Sequence, residues 1–171
     1  MRAKKPIIAL TYDFDKTLCT KGTRVIPMDW NEYEKKCDEI RSENQKYLAL
    51  FEKDMEGLSP KTVRTHLNNV DFYINEYLLR EDALCMEQGI DEVNGYLGYF
   101  FIRKCTWSTP ATIKSTAASI KKFYKCMMEH GFVKEADYRC LCDEIKENME
   151  FWQADCAAYN DPNADDPFDI W

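Results

Sequence analysis

Two stretches fifty residues apart begin in nearly the same way, and they leave the chain around them little choice but helix. Ser59-Pro60-Lys61-Thr62-Val63-Arg64-Thr65 is echoed by Thr109-Pro110-Ala111-Thr112-Ile113-Lys114-Ser115. In each, a hydroxyl can accept from the free amides of a first helical turn, and the proline gives up an N–H that has no partner there. Apolar residues then recur at steps of three and four, as Leu67, Val70 and Ile74 in one and Ala117, Ile120 and Tyr124 in the other.

The polar sides of the two predicted helices share a character. The first shows Lys61, Thr62, Arg64 and Thr65 with Asn68; the second shows Lys114, Ser115, Lys121, Lys122 and Lys125, with no acidic residue between Pro110 and Met128. Cations interleaved with hydroxyls suit phosphate oxygens. A few lysines taken alone also describe an ordinary solvated face.

These openings, with the aromatic pair Phe123-Tyr124 that follows the second, resemble the N-terminal core-binding, SAM-like domain of tyrosine recombinases and phage integrases. The resemblance covers roughly residues 28–171 and is closest to short bacterial proteins that carry this domain alone and end in an acidic tail. It implies an all-α bundle whose two echoed helices lie against DNA. It also implies that Arg103 and Lys104, in the basic link ahead of the second helix, meet phosphate. The recombinase chemistry needs a further domain with an Arg/His/Arg set and a nucleophilic Tyr, and the two histidines here, His66 and His130, do not supply it. The expectation is a DNA-binding module that does not cleave strands, with no cofactor and no metal.

Charge complicates that reading. The chain carries a net charge of −7, unevenly spread: residues 57–130 hold nine basic and eight acidic groups, whereas 131–171 hold three and eleven. A strongly acidic end opposes DNA approach and sharpens salt dependence. It favours an alternative of another class, a helical adaptor that binds protein through a long first helix or the acidic tail.

The N-terminal segment does not match the rest. Ile7 to Tyr12 is a short run of strand type, followed by Asp13-Phe14-Asp15-Lys16-Thr17. This resembles the first motif of the haloacid-dehalogenase-like phosphatases. By that resemblance Asp13 is a nucleophile toward phosphate, Asp15 is the acid/base, both help to hold Mg²⁺, and the motif carries over to Asp13, Asp15 and Thr17 within residues 7–18. Alternate residues at a strand end do aim two carboxylates at one hard cation. No second strand–helix unit follows, however, and parallel strands cannot pair without a crossover. The Mg²⁺-dependent phosphatase is therefore a second alternative.

Hydrophobic residues make up 45% of the chain, with only six glycines and six prolines, which excludes a disordered protein and leaves little punctuation for a many-stranded sheet. From Asp29 to Met55, Trp30, Tyr33, Cys37, Ile40, Tyr47, Phe51 and Met55 mark one long amphipathic helix, interrupted by Asn44 and closed by Gly57. Further helices are predicted over about 60–80, 90–101, 110–130 and 134–158. Gly95 and Gly98 in the third allow close helix contact. The aromatic cluster Tyr96, Tyr99, Phe100 and Phe101 reads as core rather than as a base-stacking platform.

Eight cysteines fall at no regular spacing, no zinc pattern emerges, and His130 before Gly131 reads as a helix end. The early apolar run is too short for an export segment or a membrane span, so packed thiols and a cytoplasmic location are expected. The sequence thus predicts an N-terminal extension over 1–27, a helical domain of about five helices over 28–158, and an acidic tail over 159–171.

Overall fold

The computed structural model describes residues 30–161, and among these every regular element is helical. The expected strand-like extension with Asp13, Asp15 and Thr17, and the tail beyond Asp161, lie outside the described residues. Five helices form the bundle: α1 (Trp30–Asp54), α2 (Pro60–Asp71, prolonged by a π-helical turn at Phe72–Tyr77), α3 (residues 93–104), α4 (Pro110–Glu129) and α5 (Glu135–Tyr159). Within α3, α-helical Val93–Gly95 and Phe101–Lys104 flank a second π-helical turn at Tyr96–Phe100, and a 3₁₀ turn at Gln88–Asp91 leads into it.

Both echoed openings are caps. The Ser59 side chain accepts from the Thr62 amide at 3.2 Å. Thr109 accepts from the Thr112 amide at 3.1 Å while the Thr112 hydroxyl accepts from the Thr109 amide at 2.8 Å, which closes a reciprocal box. At the other ends Gly57 and Gly131 take φ of +101° and +81°, the left-handed geometry that stops α1 and α4.

The core lies where α2, α3, α4 and α5 meet. Ile113, Ala117, Ile120, Phe123, Tyr124 and Met127 of α4 are buried, and α5 answers with Leu141, Ile145, Trp152 and Cys156. Trp152 is the hinge of this packing: it is 1% exposed and donates from Nε1 to Asn94 Oδ1 at 3.0 Å. Its indole lies so close to Gly98 that a β-carbon there would sit 2.7 Å from Nε1. The close helix contact expected of Gly98 is thus made with α5. Gln153 Nε2 donates to the Pro110 carbonyl at 2.8 Å, fixing the end of α5 against the start of α4.

The aromatic cluster is largely interior, as read from the sequence. Tyr73 and Tyr96 are buried with ring centroids 4.7 Å apart, and Phe101 is buried beside them, while Tyr99 is 60% exposed. Asn44, the break in the α1 stripe, has a partner. It is buried and donates to the Ile74 carbonyl at 3.2 Å and to Asn75 Oδ1 at 2.8 Å, within the π-helical turn. A wide turn leaves carbonyls without their usual helical donors, and the side-chain amide meets one of them.

From Tyr33 onward the stripe of α1 is spent on its own chain, while Trp30 at its start is 67% exposed. Cys37 packs with Leu79 and Ala83 under Tyr33 and Ile40, the Tyr33 hydroxyl donates to the Leu79 carbonyl, and Tyr47, Phe51 and Met55 join the main core. Seven cysteines fall within the described residues and all are free thiols, four of them buried. No helix among the described residues is long and apolar enough to cross a membrane.

Candidate nucleic-acid interface

The two echoed helices are neighbours. Near its end α2 brings Phe72 against Trp107, just ahead of α4, with centroids 5.6 Å apart; further back, His66 reaches Ser119. The helices therefore run antiparallel, and their capped openings point to opposite ends of the pair. The resemblance in sequence does not place the two N-termini together.

A polar seam joins them. The Ser119 hydroxyl donates to the Ser115 carbonyl at 2.8 Å, and it accepts from Asn69 Nδ2 at 2.9 Å. Its single proton being committed, the 2.9 Å contact with His66 has Nδ1–H as donor, which leaves Nε2 as the place where a second proton would add. Burial, and then the charge of Lys122, hold the His66 pKa below the ordinary histidine value.

The outward sides of α2 and α4 flank this seam. Together the two helices carry six basic and two acidic side chains. Both acids are engaged: Glu129 pairs with Lys125 at 3.5 Å, and Asp71 accepts from Asn75 at 2.7 Å. Lys61, Arg64, Lys114, Lys121 and Lys122 are exposed and form no ion pair within the described residues. At about 100° per residue, Lys114, Lys121, Lys122 and Lys125 fall within roughly a third of the circumference of α4. Ser115 is exposed in the same arc.

The remaining residues of the sequence reading divide. Thr62 is held in the α2 cap, its hydroxyl 2.8 Å from that of Ser59, and Thr65 donates back to the Lys61 carbonyl at 3.0 Å; both hydroxyls are exposed but locally engaged. Lys104 is exposed at the end of α3. Arg103 sits differently from the rest. Its guanidinium pairs with Asp155 at 3.1 Å and lies over the rings of Tyr99 and Tyr159 at 4.9 and 5.5 Å, clasping α3 to α5. A half-buried, paired and stacked arginine serves the packing of the bundle first.

One cluster was not legible in the sequence. Asp54, Cys126 and His130 bring a carboxylate, a thiol and an imidazole within 4.8 Å of one another. The His130 hydrogen bond and then that of Cys126 hold the Asp54 carboxyl below its ordinary range, while burial and the same carboxylate push the Cys126 thiol up to about 12. The Cys-x-x-x-His spacing was a visible signal, but its third member lies 72 residues earlier, at the end of another helix.

Comparison with protein-family models, curated proteins and solved structures finds no match to this chain.

Proposed function

We propose that the paired outward faces of α2 and α4 bind the phosphate backbone of duplex DNA, and that the chain acts as a non-catalytic DNA-binding module of the recombinase core-binding kind. The observation that supports this is the set of five exposed cations, Lys61, Arg64, Lys114, Lys121 and Lys122, on two adjoining helices and without an ion-pair partner among the described residues. Backbone contacts of this type set position on the duplex and carry little sequence information. Fluorescence anisotropy with a labelled duplex across a salt series is the test. Five phosphate contacts predict that log K falls with log salt at a slope of about −4 to −5. Absence of any binding at low salt would remove the proposal.

A second reading is favoured by a different surface. α5 carries seven acidic and two basic residues, and on that helix Phe151 is 68% exposed. An apolar ring among carboxylates suits a basic protein partner. In that case binding to protein, and not to DNA, would be lost on Phe151→Ser.

A further inference from the structure

The ends of α1 and α4 converge on one point, and three metal-binding donors meet there. Asp54 is the last residue of α1, while Cys126 and His130 stand four residues apart, one turn, at the end of α4. Asp54 Oδ2 is 2.8 Å from His130 Nε2 and 3.2 Å from Cys126 Sγ. Cys126 is buried, whereas the side chains of Asp54 and His130 are about one-third exposed, at 34% and 38%. The cluster therefore has a closed floor and an open mouth.

We propose that Asp54, Cys126 and His130 form a site for a divalent transition-metal ion of borderline softness, Zn²⁺ in the first place, which staples α1 to α4. The donor chemistry selects the ion. A thiolate, an imidazole nitrogen and a carboxylate oxygen together suit zinc, and magnesium or calcium would call for oxygen alone. Tetrahedral bonds of about 2.0–2.3 Å set neighbouring donors roughly 3.3–3.8 Å apart. The two observed contacts need to open by less than about an ångström to reach that spacing.

Two residues one turn apart on a helix face are a chelating pair that the fold fixes in advance, and only Asp54 comes from elsewhere. The carbonyl ends of both helices point toward the same place and favour a cation there. The fourth position faces the open mouth and takes water. Binding exchanges two hydrogen bonds for metal bonds: the Cys126 thiol gives its proton to solvent and coordinates as thiolate, and His130 gives up the Nε2 proton that it now donates to Asp54 and coordinates through Nε2 as the neutral ring protonated on Nδ1. None of the three residues belongs to the proposed DNA-binding face, so this site stands or falls apart from it.

Cobalt replaces zinc in such sites and reports geometry by its colour. The full chain, reduced and freed of metal, is titrated with Co²⁺ and then with Zn²⁺, beside His130→Ala and Asp54→Asn. Both substitutions alter partly exposed side chains, and retained helical circular dichroism confirms that the variants fold. The expected result is a single equivalent of tetrahedral cobalt with a thiolate charge-transfer band. Zn²⁺ then abolishes the band, each substitution weakens Co²⁺ binding on the order of tenfold or more, and Zn²⁺ raises the melting temperature of the parent chain only. The proposal is overturned if no such band forms, or if a band forms with equal affinity in both variants and so reports other cysteines, such as Cys140 and Cys142.

Discussion

α4 and α5 lie against each other and bury comparable apolar stripes, yet their outward sides are opposites. α4 presents four lysines and one glutamate, is opened by a threonine box and stops at a glycine. α5 carries seven acids and two bases, of which Asp155 is spent on Arg103, and it begins at Lys134 with no side-chain cap; Glu135 and Asp137 in its first turn complement the helix dipole instead. The inner faces of both are explained by the core. Their solvent faces answer to no packing demand, so the difference between them is where function is to be sought.

The contrast can be broken first at the shared interior. Trp152→Ala removes a buried indole and its bond to Asn94, and is expected to cost about 3–5 kcal/mol in urea unfolding. A loss below about 1 kcal/mol would mean that α5 is not anchored as described. Next comes the charge contrast itself. Reversing Lys114, Lys121 and Lys122 to Glu should lower duplex affinity roughly a hundredfold at low salt with helical content unchanged, since each lost phosphate contact also removes about one unit of salt slope. Glu147→Lys with Glu150→Lys on α5 should leave affinity equal or higher, and a matching loss there would erase the distinction between the faces.

Smaller effects test the seam. Ser119→Ala deprives His66 and Asn69 of their acceptor and should cost about 1–2 kcal/mol. Lys122→Ala should raise the His66 pKa, read by NMR titration, because it removes one of the two causes that depress it. The sign carries over to stability. A histidine held below its unfolded value of 6.5 contributes fully above that pH and loses its contribution as pH falls through the unfolded value toward the folded one. A bound polyanion opposes Lys122, so His66 should titrate at higher pH in the complex than in the free protein.

Much of this fold was legible in the sequence because its signals are local. Ser59-Pro60 and Thr109-Pro110 start α2 and α4 where expected, and the stripe Leu141, Ile145, Trp152 and Cys156 is the buried face of α5. What was hidden depends on residues far apart in the chain. Asn44 broke a pattern whose reason, the carbonyl of a wide turn, lies 30 residues on. Arg103 read as a free cation because Asp155, its partner, belongs to the last helix. The echo of the two openings showed that both helices exist, but not that they run in opposite directions, which the Phe72–Trp107 and His66–Ser119 contacts decide.

Amide chemical-shift mapping during titration with a short duplex tests the central claim most directly, because it reads position and binding together. The account predicts that the largest shifts fall on residues 61–69 and 114–125, with the outward side of α5 unmoved. Shifts centred on α5 or on the outer side of α1, or none at any duplex concentration in low salt, would contradict it.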